Sequence, residues 1–187
     1  MSSLQLNIST PRQPIPQGMG FYQLEDESLY VQLGGIFESR RFFSYIDSPI
    51  SRFDLDIEGR LVFFELTVPK RQWKIIENLV TPQIVEPADI RWLSFRKIIE
   101  LPEILTDQCR TRLYLKLSDE KPALNYYLAD KIILQSSAEW LACGILVTGI
   151  VDDTGGRKFA EFRRLQSGKP EVKSHFAGVA DISPSVS

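Results

Sequence analysis

Four carboxylates crowd one short stretch of the chain, Asp54, Asp56, Glu58 and Glu65, with Gly59 among them. Counted from Asp54 they take the first, third, fifth and twelfth places of a calcium-binding loop, and the glycine takes the sixth. Oxygen ligands in that order would suit a hard divalent cation. The chemistry also requires a helix on each side, and the flanks do not read as helix. Phe53-Asp54-Leu55 and Leu61-Val62-Phe63-Phe64 carry the alternation and aromatic content of strands. The stretch from Ser51 to Val68 therefore predicts a β-hairpin turning at Glu58-Gly59. Counting outward sets Leu55 against Val62, Phe53 against Phe64 and Arg52 against Glu65. The first two pairs make the buried face, and the third is an exposed cross-strand ion pair worth at most about 1 kcal/mol. Glu65 then stands too far along the ladder to close a loop around an ion. No metal site is expected, and Asp54, Asp56, Glu58 and Glu65 are the candidates to check.

Other chemistry has little to work with. His175 is the single histidine, and Cys109 and Cys143 are the two cysteines, so neither a zinc site nor a His-based catalytic arrangement is indicated. Asp54, Asp56 and Glu65 could serve as paired acids, but solvated hairpin residues account for them more simply. No glycine-rich phosphate loop occurs, and Asp153-Thr154-Gly155-Gly156 reads as a turn. The expectation is a protein that is not an enzyme, with no catalytic residues and no cofactor. Basic residues gather at Arg40-Arg41, at Lys70-Arg71 with Trp73 and Lys74, and at Arg163-Arg164. Trp73 among cations could stack on a base, yet 22 basic against 24 acidic residues give a net charge of −2. That balance lacks the basic excess of a nucleic-acid binder.

The 187 residues suffice for a real core, and 43% hydrophobic with 25% charged residues fits a globular chain. The N-terminus shows no basic stretch leading into an apolar run, and no apolar run approaches the roughly 20 residues of a membrane helix. With only two cysteines, a cytoplasmic location is expected. Residues 1–19, with Pro11, Pro14 and Pro16, predict a disordered tail, in which Pro11-Arg12-Gln13-Pro14 meets the loose PxxP spacing. Phe21 to Leu33 predicts two extended pieces around Glu25-Asp26-Glu27, and Arg40 to Ile46 a further β run. Arg71 to Leu79 and Ile90 to Ile99 fit helix or strand. Arg157 to Leu165 predicts a last strand paired with Ile145 to Val151, and 167–187 a mobile tail.

The second half echoes the first. Leu113-Tyr114-Leu115-Lys116-Leu117 repeats Leu29-Tyr30-Val31-Gln32-Leu33 at an offset of 84 residues (113 − 29). Tyr126-Tyr127 lines up with Phe42-Phe43, and Gly144 with Gly59, each glycine standing just before an apolar run. Shared order and spacing point to an internal duplication, with copies at about 21–79 and 98–165. The first copy also has a recognisable pattern. Tyr22-Gln23-Leu24-Glu25-Asp26-Glu27-Ser28-Leu29-Tyr30-Val31-Gln32-Leu33 resembles Y-D-x-E-x-D-x-L-Y-I-x-L, the opening of a family of short, uncharacterised bacterial β-domain proteins. Asp54, Asp56, Gly59, Arg60, Leu61, Val62 and Glu65 match that family's hairpin, D-x-D-x-x-G-R-L-V-G-I-E-I-L. Phe63 replaces its glycine, and Gln23 and Glu27 depart from the first motif. The resemblance covers about Tyr22 to Leu66; it implies a small β-meander and supplies no chemistry.

The expected fold is mainly β, with a β-rich α+β fold as the alternative: one domain over 20–166, its two degenerate meander repeats packed as a sandwich or open barrel. Phe42-Phe43, Phe63-Phe64 and Tyr126-Tyr127 would put a ring on each face of a strand, so the outer faces need a cover. Ile90 to Ile99 or a second subunit could supply it. This makes Leu61, Phe63 and Trp73 the candidates for an interaction face. The functional expectation is a binding or assembly module whose partner is a second copy of itself or another protein, with no membrane and no nucleic acid involved. The alternative is a small-molecule or metal-binding domain using the cleft between the repeats.

Overall fold

The computed structural model describes residues 3–34 and 42–166. The chain runs through β1 (Leu6–Ser9), β2 (Gly18–Gln23), β3 (Ser28–Leu33), β4 (Phe42–Asp47), β5 (Ser51–Asp56) and β6 (Leu61–Leu66). A 3-10 turn at Lys70–Gln72 leads to β7 (Lys74–Ile75), β8 (Glu86–Pro87), β9 (Asp89–Trp92) and β10 (Lys97–Ile98). A second series follows: β11 (Glu103–Thr106), β12 (Leu113–Lys116), β13 (Leu124–Ala129), β14 (Ile132–Ser136) and β15 (Ala142–Val147). It ends in β16 (Val151–Asp153) and the helix α1 (Arg157–Gln166).

Two seven-stranded sheets result, ordered β10-β4-β5-β6-β3-β2-β16 and β7-β11-β12-β15-β14-β13-β8, with β1 and β9 as a separate ribbon. None is closed into a barrel, and the fold is a mainly β sandwich. The expected meander holds for β4-β5-β6. β3 then pairs with β6, so each series is a Greek key. The two orders coincide when β2–β6 are set on β11–β15. At both ends of each sheet a short strand from outside its five-stranded unit supplies the edge, always parallel: β16 beside β2, β10 beside β4, β7 beside β11 and β8 beside β13.

The inner faces make one core. Leu29, Val31, Phe53, Leu55, Phe64 and Leu66 pack against Leu113, Leu115, Leu134, Ile145 and Val147. Ladder registers locate the counterparts. Val31 opposes Phe64, which opposes Phe53, which opposes Ile46; in the second sheet the row is Leu115, Ile145, Leu134 and Tyr126. Leu29 and Leu113 therefore do share a place. Tyr126 corresponds to Ile46 rather than Phe42, and Gly144 corresponds to Phe63 rather than Gly59. Gly144 lies inside β15, not in the turn before it.

A bulge explains part of this difference. The β5–β6 register shifts between Asp54 and Leu55, so that Leu61, not Val62, opposes Leu55. Phe53–Phe64 and Arg52–Glu65 pair as expected. The extra residue, Val62, turns outward together with Phe63, while Leu61 points into the core. The β14–β15 ladder carries the same shift between Gln135 and Ser136, which makes Cys143 the counterpart of Val62.

Both outer faces are apolar, and the chain covers both. Phe21, Tyr30, Val62 and Phe63 lie under Phe42, Met19 and Phe159 of α1. Ile133, Leu146, Tyr114 and Tyr127 lie under Ile76, Leu79 and Val85. The expected strand at 157–165 is thus a helix, and its Phe159 packs on the first outer face. The expected cover, Ile90 to Ile99, does something else. Ile90 and Trp92 enter the main core from β9, which pairs with β1. The tail expected over 1–19 is likewise partly core, since Leu4 and Leu6 are buried and β1 holds β9. The residues at 167–187, including His175, and Arg40-Arg41 lie outside the described residues. No described helix is long and apolar enough to cross a membrane.

Gly144 gives this account a direct check. A Cβ there would fall on the Tyr114 phenol ring, which lies across the glycine on the outer face. Gly144→Ala should cost about 1–3 kcal/mol in urea unfolding through overpacking, and Tyr114→Leu in the same chain should recover most of it. Additive losses in the double variant would contradict the packing described.

Candidate binding cleft

The β5–β6 turn is built by its own carboxylate. Asp56 Oδ1 accepts the N–H groups of Glu58 and Arg60, each at 2.9 Å, and the Asp56 carbonyl accepts Gly59 N–H at 3.0 Å. Ile57 to Arg60 thus form a four-residue turn with φ of 80° at Gly59, a left-handed value that suits glycine. A Cβ on Gly59 would also come within 2.7 Å of the Trp92 carbonyl oxygen. The contact exists because Trp92 N–H donates to the Gly59 carbonyl at 2.7 Å, which fixes β9 against the turn.

Beside this contact lies an ionic clasp. Arg60 donates from Nε and Nη2 to the two oxygens of Asp89, at 2.8 and 3.0 Å. Arg91 reaches Asp89 at 3.3 Å and Glu58 at 3.9 Å, and Glu58 also pairs with Arg60. The Asp89 carboxyl is only 8% exposed, and the Arg60 hydrogen bonds hold its pKa below the usual carboxylate value. A forked Arg–carboxylate pair of this kind fixes geometry as well as charge.

A cleft of about 470 Å³ opens next to the clasp, between the two series of strands. The turn from Asp56 to Leu61 forms one wall, and the Pro11-Arg12-Gln13-Pro14 strap faces it. Ala88 to Ile90 and Tyr127-Leu128 complete the sides. Leu33, Leu61 and Ile90 give it an apolar lining, and Arg12, Gln13, Glu58, Arg60 and Asp89 a polar rim. Such a surface can hold a small molecule by apolar contact and orient it by hydrogen bonds.

The carboxylates singled out in the sequence do not converge. Asp56 shapes the turn and Glu58 joins the clasp. Asp54 accepts from Arg52 Nε at 3.0 Å on the outer face of its sheet. Glu65, also on that face, lies 3.6 Å from Arg163 of α1, and burial raises its pKa. Arg52 and Glu65 are opposite in the ladder, but Arg52 turns to Asp54 and Asp47 instead. Among the described residues no group of three His, Cys, Asp or Glu side chains is placed to hold a metal ion. The interaction-face candidates are corrected more sharply. Leu61, Phe63 and Trp73 are all buried in this chain, because the bulge turns Leu61 inward and α1 covers the face that carries Phe63. Trp73 donates its indole N–H to the Val68 carbonyl and packs edge-on against Tyr22. The cations around it pair with acids, Lys70 with Asp152, Arg71 with Glu27 and Lys74 with Glu103.

Sequence reasoning missed Asp89, Arg12 and Tyr127 as cleft residues. The Arg60–Asp89 pair spans 29 positions and no local pattern announces it. The proline spacing at Pro11–Pro14 was the one visible signal, and it marks a wall of the cleft. No known family model matches the chain, and no curated protein matches it.

The clasp makes a testable demand. Arg60→Ala removes the forked pair and leaves the desolvated Asp89 carboxylate with Arg91 alone, which should cost about 1–3 kcal/mol at neutral pH. Because the folded pKa of Asp89 is depressed, its contribution is present above the unfolded value and is lost as pH falls through the folded value. The gap between wild type and variant should therefore narrow in acid. A gap that stays constant down to pH 2 in urea titrations would show that the clasp's charge contributes nothing.

Proposed function

We propose that this protein is a non-enzymatic binding module whose ligand is a small organic molecule held in the cleft between the β5–β6 turn and the proline strap. One observation carries the reading: a roomy concavity with an apolar lining and a few ordered polar groups lies where the two series of strands meet. Its size falls within the range of about 300–1,000 Å³ common for ligand sites. Arg60 and Asp89 neutralise one another, so they offer shape and hydrogen bonds rather than net charge. Arg12 on the exposed strap adds a cation at the mouth. The two unpaired thiols, Cys109 and Cys143, agree with a cytoplasmic setting. The family resemblance of Tyr22 to Leu66 is compatible with this reading and favours no particular ligand.

Assembly is the second reading, and a different surface favours it. Phe43 and Phe95 touch at 5.5 Å between ring centres while 50% and 59% exposed. Ile98, on the outer edge of β10, is 76% exposed. That surface replaces Leu61, Phe63 and Trp73 as the place where another protein would bind.

Ligand-observed NMR with a library of small carboxylates, amines and aromatics tests the cleft. Compounds that bind the wild type should bind Ala88→Trp at least tenfold more weakly, with an unchanged far-UV spectrum showing that the variant is folded. A library without binders, or binders indifferent to Ala88→Trp, would remove the proposal.

A further inference from the structure

We infer that the two halves of this chain are each other's protein partner: the fold is a strand-exchanged dimer contained in one polypeptide. The partner that each half fits is a Greek-key unit of its own kind. Three independent features carry this, and none depends on what the cleft binds.

Edge strands come first. After β6 the chain leaves its own sheet and adds β7 to β11 of the other. After β15 it does the same in return, adding β16 to β2. In the paired registers, Lys74 lies beside Leu105 and Val151 beside Phe21. Leu105 and Phe21 are themselves counterparts, opposite Tyr114 and Tyr30. At the opposite edges one strand is exchanged as well, β10 beside β4, while β8 lies beside β13 of its own half.

The ribbon is the second feature. β1 and β9 pair antiparallel with Leu6 opposite Trp92. Leu6 N–H donates to the Trp140 carbonyl, and Trp92 N–H donates to the Gly59 carbonyl, at 2.9 and 2.7 Å. Trp140 and Gly59 each stand two residues before the first residue of β15 and β6, and both have positive φ, 60° and 80°. An equal exchange of bonds across one antiparallel pair is what a twofold axis through the ribbon produces. The bulges at Val62 and Cys143, in equivalent places, are the third feature.

The same comparison explains why the cleft opens on this side of the ribbon. On one side the ribbon closes against the hairpin through a bridge between Gln5 and Leu141. The counterparts of these residues are Arg91 and Arg60, and among the described residues no bridge joins them. Their side chains turn to Asp89 and Glu58 instead, and the cleft opens there.

The test is made on the whole protein, with a site-specific protease sequence placed between Pro82 and Gln83 in an exposed segment and cut after folding. The cut protein should sediment as one particle containing both fragments at micromolar concentration. Its urea unfolding should be a single transition by fluorescence and circular dichroism, and its midpoint should rise with protein concentration, because unfolding now releases two chains. Separation of the fragments in native buffer would overturn the inference. So would two transitions, or one whose midpoint ignores concentration, since either means that the halves fold without each other.

Discussion

A sheet with apolar residues on both faces has to be covered twice, and this constraint organises the whole molecule. The inner faces solve it mutually, with Val31, Phe53 and Phe64 meeting Leu115, Leu134 and Ile145 in one core. The outer faces need additional chain, and the exchanged edge strands deliver it. From β7 the chain passes to the 76–85 segment over Tyr114 and Leu146, and from β16 to α1 over Phe21, Tyr30 and Phe63. Leaving one sheet for the edge of the other is thus how each series reaches a face that it could not cover from its own last strand.

The two outer faces reach the same end with different chemistry. On the first, Phe63 fills its site and needs a helix above it, tied down by Arg163 beside Tyr30 and Glu65. Burial pushes Tyr30 up to about 12 and raises Glu65 as well, and the Tyr30 and Phe159 rings meet at 5.0 Å between centres. On the second, Gly144 leaves the site empty and Tyr114 lies into it from the neighbouring strand. Burial raises Tyr114 to about 12 and the adjacent Cys143 to about 11, which keeps that thiol protonated and unreactive.

Long strands with local partners were legible in the sequence. Alternation located β3, β5 and β6, and counting from the turn gave the Phe53–Phe64 and Arg52–Glu65 pairs, because a hairpin register depends on nearby residues. The count failed at Leu55 because one extra residue in β6 is invisible to alternation when Leu61 to Phe64 are all apolar. Gly144 was matched to Gly59 for a related reason: residue type was compared where only the ladder could tell a strand glycine from a turn glycine. β7, β8, β10 and β16 are two or three residues long and pair far along the chain, so no local pattern encodes them. The clasp was hidden likewise. Arg60 belongs to a recognisable hairpin motif, while its partner, Asp89, stands 29 positions away and outside every motif in the sequence.

Taken together, these features describe a single cooperative body in which neither sheet is stable without the other, and the cleft is a by-product of their imperfect symmetry. Native-state hydrogen exchange in low denaturant measures this most directly. The account predicts that the slowest amides of β3 and β6 and those of β12 and β15 share one opening free energy and one denaturant dependence. If the amides of one sheet exchanged through an opening that left the other sheet protected, the two would be separate folding units and the account would fail.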